Sequence, residues 1–204
     1  MKKLNAYITE KLKIRKSNNP YYKYFPDTKE ELQELLNQLI EEERGNEGDF
    51  NDIDTSKITD MSELFNDMEN FNGDISRWNV SNVTNMNNIF YNCQSFNQDI
   101  SEWDVSNVTD MDGMFEYCHS FNQDISNWDV SNVTDMRYMF GDCQSFNQDI
   151  SNWDVSNVTN MNNMFYYCKS FNQDISNWNI SKVKYNEKMF YNCSIENKYK
   201  PKRR

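Results

Sequence analysis

The chain has 204 residues, a formal net charge of −11, 37% hydrophobic residues and 15% aromatic residues. This length gives room for one domain of ordinary size, and the large apolar content excludes a disordered chain of this charge. Residues 46–197 alone carry a charge of −17, which excludes nucleic-acid binding by this part because such binding depends on Lys and Arg neutralising phosphates.

The first 26 residues are predicted to form a basic amphipathic leader. Leu4, Ile8 and Leu12 recur at helical spacing with six Lys and Arg residues around them. Such a helix lies on a membrane surface, docks to a larger assembly or is simply a frayed leader. No secretory signal peptide is recognisable, and no stretch approaches the ~20 apolar residues that span a bilayer. The chain as it stands is expected to be cytoplasmic or particle-associated, unless it leaves by another route.

Residues 27–45 are predicted to form a helix that caps the following repeats. Thr28 and Glu31 have the spacing of a capping box, and Gly45 is the expected residue after the helix end. One apolar stripe is formed by Leu32, Leu35, Leu36, Leu39 and Ile40. A free dimerisation helix is the alternative interpretation.

Residues 46–193 consist of a repeat with a period of 25 residues. The phrase F-N-Q-D-I-S-E-W-D-V-S-N-V-T-D-M-D-G-M-F-E-Y-C-H-S at 96–120 returns with few changes at 121–145 and 146–170, and a degenerate first copy makes about six units. Trp78 and Val80 alternate as in a short strand, and the apolar residues from Val83 to Cys93 follow as one face of a short helix. Such units must stack to share one core. The predicted fold class is therefore α/β, a leucine-rich-repeat-type solenoid of about six strand-plus-short-helix units.

The repeat resembles a known family. The pattern I-x-x-W-x-V-x-x-V-x-x-M-x-x-M-F is similar to a leucine-rich repeat in which most leucines are replaced. The phrase W-D-V-S-N-V-T-D-M-x-x-M-F-x-x-C-x-S-F-N-Q-D-I-S resembles the BspA-like leucine-rich-repeat surface-protein family over roughly residues 50–193. This resemblance implies a surface protein of bacteria, and of some protists and viruses, that takes part in adhesion and binds host or matrix proteins. Members usually carry export or anchoring signals, which are not recognisable in this sequence.

No catalytic arrangement is recognisable in the repeats. The only histidine, His119, occupies a position held by Gln94, Gln144 and Lys169 in neighbouring units, which indicates a surface position that has drifted. Carboxylates recur in every unit, so no pair is singled out for acid–base chemistry. We predict that the protein is not an enzyme and uses no cofactor.

The five cysteines are predicted to be buried free thiols. They end the apolar face of five units, lack the C-x-x-C spacing of zinc sites and cannot all pair because their number is odd. The tryptophan and methionine rows are likewise expected in the core. A row of turn aspartates suggests calcium, but the glycine-rich calcium-binding repeat is missing, so no metal site is predicted. This row comprises Asp74, Asp99, Asp124, Asp149 and Asp174.

Ten outward-facing residues form the predicted binding face. They form two rows: Arg77, Glu102, Asn127, Asn152 and Asn177, and Asn79, Asp104, Asp129, Asp154 and Asn179. Like charges on adjacent strands repel, so the three consecutive aspartates need solvent, cations or a basic ligand. The alternative is an ordinary solvated surface. We expect this face to bind a protein partner that carries a basic patch.

The function predicted from the sequence is a non-enzymatic protein-binding or adhesion module that presents an acidic strand face. The alternative is a structural component of a larger particle or surface layer, docked through its N-terminal helix. Residues 194–204 form a basic C-terminal tail, which resembles a localisation patch but is also typical of a solvated terminus.

Overall fold

The computed structural model describes residues 20–202, so most of the predicted basic leader at 1–26 lies outside the described residues. The α-helix in this range, α1, spans Lys29–Gln38. The Thr28 hydroxyl accepts a hydrogen bond from the Glu31 backbone N–H at 3.2 Å, and the Glu31 carboxylate accepts one from the Asp27 N–H at 2.9 Å. A π-helical turn, Leu39–Arg44, continues α1, and Gly45 with a φ of 68° ends it.

The helix α1 packs on the first repeat unit. Its Leu32, Leu35 and Leu36 are fully buried and belong to the same hydrophobic core as the repeats. At its start, the Lys29 ammonium donates a hydrogen bond to the Ser62 hydroxyl at 2.6 Å. The apolar stripe of α1 therefore covers the end of the repeat core, as a repeat array requires.

The predicted α/β solenoid of six strand units is wrong. Among residues 20–202, the 25-residue units contain no helix and no named strand. Each unit is instead a coil built from successive turns, and the coils stack in parallel. Their pairing consists of single bridges: Asp49 with Asp74, and a continuous series through Asp60, Asn85, Asp110, Asp135, Asn160 and Tyr185. A further bridge joins Tyr24, which precedes α1, to Ile53 of the first coil.

The segment predicted as a short helix donates its hydrogen bonds to the next coil. The N–H of Met111 donates to the Asp135 carbonyl at 3.0 Å, and the N–H of Gly113 donates to the Arg137 carbonyl at 2.9 Å. An α-helix would direct these donors to carbonyls four residues back in the same segment. Every second N–H here instead joins two coils, which is why no helix forms.

Left-handed backbone conformations recur at two positions of each coil and prevent a right-handed helix. Tyr117 is an example, with φ of 61°, and its N–H donates to the Gly141 carbonyl of the next coil at 2.8 Å. This inter-coil bond offsets the cost of a conformation that tyrosine rarely adopts. The residues in this conformation are Glu63, Asp67, Asn88, Asn92, Gly113, Tyr117, Tyr138, Asp142, Asn163, Tyr167, Lys188 and Asn192.

The segment predicted as a strand is divided by corners. In the coil that starts at Phe96, the Oδ1 atoms of Asp99, Asp104 and Asp110 each accept the N–H two residues further on, at 2.9, 3.1 and 3.0 Å. Such Asx turns reverse the chain locally. Three of them in one coil leave the straight runs between them too short for a strand.

The predicted buried rows are confirmed. Tryptophan, phenylalanine and cysteine side chains stack from coil to coil in the interior, with Phe90 and Phe115 5.6 Å apart between ring centroids. Buried polar atoms also join coils, as a stable interior requires. The indole N–H of Trp128 donates to the Ile100 carbonyl at 3.1 Å. In the last coil, Phe190 and Cys193 are only partly buried.

The first residues of the predicted C-terminal tail pack on the last coil. Ile195 is buried, and the Ile175 N–H donates to the Tyr199 carbonyl at 3.1 Å. A 3₁₀ turn spans Asn197–Tyr199, and Lys198 pairs with Glu196 at 2.9 Å. Of the described residues, none belongs to a helix long and apolar enough to cross a membrane.

Candidate functional site

All ten residues of the predicted binding face are exposed. They flank the buried tryptophan and valine rows, but they lie on and between turns, so the predicted strand face is wrong as to its backbone. We call these ten residues the turn face. One end of it carries a cation, Arg77, whose guanidinium lies 4.0 Å from the Asp49 carboxylate.

The central aspartates of the turn face have a fixed orientation. Asp104 Oδ1 accepts the Ser106 N–H at 3.1 Å and the Ser106 hydroxyl at 2.6 Å. Asp129 and Asp154 each accept the N–H of the serine two residues on at 3.0 Å. Hydrogen bonds from Ser156 hold the pKa of the Asp154 carboxyl below its ordinary value. These carboxylates therefore combine a structural role with a preorganised negative charge.

Asparagine side chains keep the turn face in register. The amide of Asn132 donates to the Ser106 carbonyl of the preceding coil at 2.7 Å, and the amide of Asn157 donates to the Ser131 carbonyl at 2.7 Å. Adjacent parallel segments lie about 5 Å apart. Three carboxylates thus follow one another at this spacing on successive coils.

The row of turn aspartates is also committed to corners. Asp99, Asp124 and Asp149 each accept a serine N–H at 2.9 Å, and Asp74 and Asp174 do so at 3.0 Å. Within residues 20–202 no group of three or more His, Cys, Asp or Glu side chains could hold a metal ion. His119 Nε2 lies 3.7 Å from Asp142 Oδ2.

Sequence reasoning missed a second surface, on the segment of each coil that was predicted as a helix. We call it the tyrosine–carboxylate surface. It comprises the half-exposed or exposed side chains of Tyr91, Tyr117, Tyr138, Tyr166, Tyr167 and Tyr191, together with Asp112, Glu116 and Asp142. The recurrence of tyrosine after the M-F pair of several units was a visible signal of it.

The tyrosine rings contact one another within a coil and between coils. Tyr91 and Tyr117 meet edge to face with their centroids 5.6 Å apart. Tyr166 contacts Tyr167 at 4.5 Å and stacks on Tyr191 at 5.4 Å. Exposed aromatic side chains of this kind are enriched at protein interfaces.

Glu116 lies within this surface without a counter-charge. Burial raises the pKa of its carboxyl to about 7, and the carboxylates of Asp112 and Asp142 add to the shift. Among the described residues its carboxylate has no hydrogen-bond or ion-pair partner. Asp112, by contrast, pairs with Arg137 at 2.9 Å.

The buried thiols are poor nucleophiles. The Cys118 thiol donates a hydrogen bond to the Phe90 carbonyl at 2.9 Å, and the same contact recurs in neighbouring coils. Burial raises the pKa of Cys118, Cys143 and Cys168 well above the ordinary value. These cysteines are free, as predicted, and are part of the core.

Comparison with known proteins places the repeats in one family. The model of the family described as "Mycoplasma protein of unknown function, DUF285" matches residues 33–143 and 100–200. These matches include α1 from its second turn onward and all of the stacked coils. No curated protein and no solved structure gives a significant match.

Proposed function

We propose that this chain, which belongs to the DUF285 family of BspA-like repeat type, is a non-enzymatic protein-binding module whose turn face contacts a partner through a basic patch. The observation that carries the proposal is the row formed by Asp104, Asp129 and Asp154. These carboxylates are exposed, in register and fixed by their serine hydrogen bonds. A fixed row loses little side-chain entropy on binding, which favours affinity.

Electrostatics supports this choice of partner. Residues 46–197 carry a charge of −17, and such a field accelerates encounter with cationic surfaces and weakens as salt screens it. The resemblance of the W-D-V-S-N-V-T-D-M phrase to BspA-like leucine-rich-repeat surface proteins extends the proposal to adhesion at a surface.

The proposal is tested by affinity purification from the native source followed by association kinetics of the captured partner. The Asp104→Asn, Asp129→Asn, Asp154→Asn variant is expected to slow association, because exposed charges steer encounter more than they hold a complex together. Asparagine retains an Oδ1 for the corner hydrogen bond, as Asn79 does with the Ser81 N–H at 3.1 Å. The fold is therefore expected to remain intact.

The matched control is the Asp99→Asn, Asp124→Asn, Asp149→Asn variant. It removes the same charge from a row of Asx corners outside the turn face. Its effect on association should therefore be smaller. A partner that is insensitive to salt and to both triple variants would contradict the turn face. Capture that instead requires residues 1–26 would favour a structural component docked through its N-terminal helix.

A further inference from the structure

The tyrosine–carboxylate surface combines three features that together define a ligand. Tyr117 and Tyr138 are each 36% exposed, and Tyr191 is 49% exposed, so a ligand can reach these side chains. The nearby carboxylates of Glu116 and Asp142 make the surface negative. Aromatic rings and carboxylates side by side bind cations through both cation–π and ionic contacts.

The glycine Gly141 lies buried beneath the side chains that this ligand would contact. The residues before and after Gly141 in the same row are Tyr91, Glu116, Tyr166 and Tyr191, so Gly141 alone lacks a side chain. A Cβ added to Gly141 would lie 3.3 Å from Glu116 Cγ and 3.5 Å from Tyr138 Cδ1. The Glu116 side chain and the Tyr138 ring therefore lie close together over Gly141, where one ligand group can contact both.

The same protein uses this recognition mode internally. The Arg44 guanidinium lies 5.6 Å from the ring centroids of both Tyr24 and Phe50, and it donates two hydrogen bonds to the Asp52 carboxylate at 2.7 and 3.0 Å. Burial alone would raise the pKa of Asp52, but the hydrogen bonds and charges of Arg44 and Lys23 hold it below the ordinary value. At Glu116 the rings and the carboxylate are present, but no cationic side chain of residues 20–202 pairs with this carboxylate.

The length of the surface indicates the form of the ligand. Tyr91 and Tyr191 are separated by four coil spacings of about 5 Å each, or about 20 Å. An extended chain advances about 3.3 Å per residue, so about six residues span this distance. Arginine suits the surface better than lysine, because its planar guanidinium stacks on rings and pairs with carboxylates in two-fold fashion.

We propose that the tyrosine–carboxylate surface binds an extended, arginine-containing segment of a protein partner, with one guanidinium between the Glu116 carboxylate and the rings of Tyr117 and Tyr138. This inference rests on the proposed protein-binding function, but it concerns a different segment of each coil from the turn face. The two surfaces can therefore be tested separately.

The test measures fluorescence anisotropy of a labelled peptide of alternating Gly and Arg, about seven residues long to match the surface, with the full chain at low ionic strength. Glu116→Gln and Tyr117→Ala are each expected to weaken binding about tenfold or more, as loss of a charge-assisted contact does. Glu34→Gln and Tyr185→Ala are the matched controls. Glu34 is an exposed carboxylate of α1, outside both surfaces, and Tyr185 is an exposed tyrosine outside the cluster, so these variants should change binding less than about twofold.

A second readout is the pH dependence of peptide binding. The groups that act on Glu116 are Asp112 and Asp142, with Tyr91 and Tyr117 beside it, and Arg137 and His119 lie behind the two aspartates. Binding should strengthen several-fold from about pH 6 to about pH 8 as Glu116 ionises. The Glu116→Gln variant should lose this dependence, and a His119→Gln variant should keep it.

Several outcomes would overturn the inference. They are no saturable binding of the arginine peptide, equal binding of a peptide with citrulline in place of arginine, or equal effects of Glu116→Gln and Glu34→Gln. Equal citrulline binding would show that the charge of the guanidinium is not recognised. Self-association that Tyr117→Ala abolishes, without peptide binding, would make the surface a contact between copies. Loss of peptide binding only in the Asp104→Asn, Asp129→Asn, Asp154→Asn variant would assign the peptide to the turn face and leave the proposed function standing.

Discussion

Replacing Glu116 by Gln is expected to stabilise the fold at alkaline pH and to have little effect at acidic pH. Burial, reinforced by Asp112 and Asp142, raises the pKa of this carboxyl from 4.5 to about 7. The folded state therefore holds the proton more tightly than the unfolded state. The contribution of this group to stability is full below about pH 4.5 and declines as the pH rises towards about 7.

The size of this effect follows from the pKa difference. At 1.36 kcal/mol per unit, the shift corresponds to an upper limit of about 3.4 kcal/mol. Because the side chain is only partly buried and solvent screens its charge, we expect about 1–2 kcal/mol above pH 7. Glutamine has nearly the same shape and no charge, so it removes this penalty while it keeps the packing over Gly141.

The assay is urea unfolding of the wild type and Glu116→Gln at several pH values between about 4.5 and 8. The difference in the free energy of unfolding should grow with pH. Glu102→Gln removes the same charge from an exposed position and should give a difference near zero throughout. Parallel stability curves for the wild type and Glu116→Gln would refute the reasoning that a desolvated carboxylate lies at this position.

Three further results are expected. Trp128→Ala should lower the free energy of unfolding by about 3–5 kcal/mol. Trp128→Phe should lower it by about 1–3 kcal/mol, because the Ile100 carbonyl loses its indole donor. Urea titration measures both, and equal small losses would contradict a buried tryptophan row. Asp129→Ala should lower the free energy of unfolding by about 1 kcal/mol, because it removes the acceptor of the Ser131 N–H, and Asp129→Asn should leave it almost unchanged. Thermal unfolding compares the two variants, and equal losses would argue against the Asx corner. A thiol reagent should modify Cys193 first and the four buried cysteines only on unfolding; uniform fast reaction would contradict a thiol row in the core.

The sequence predicted the repeat period and the interior correctly but the backbone wrongly. Met111, Met114, Phe115 and Cys118 have the spacing of one helix face, which is why a helix was expected. Consecutive turns also direct every third or fourth side chain inward, as the hydrogen bond from the Met114 N–H to the Met111 carbonyl shows. Apolar spacing alone cannot distinguish the two.

The sequence encodes the corners of the coils, but the alternation of apolar residues predicts a strand at the same place. Asp104 with Ser106 has the D-x-S spacing of an Asx turn, whose side-chain hydrogen bond competes with regular secondary structure. We assigned this aspartate to an outward strand position, which was correct for its exposure and wrong for its backbone. The tyrosine–carboxylate surface depends on the inter-coil register and on left-handed residues such as Tyr117 and Tyr138, and neither is evident from residue type.

The most direct test of the proposed binding role is zero-length carbodiimide cross-linking of the protein to its captured partner, followed by mass spectrometry. The reagent joins carboxylates to lysines that are already in contact, so it reports which acidic side chains meet the basic patch. We expect the cross-links to lie on Glu102, Asp104, Asp129 and Asp154 and to decrease in the triple asparagine variant and at high salt. A bound partner whose cross-links lie only on the acidic residues 41–43 after α1, or on none of the turn-face carboxylates, would contradict the account.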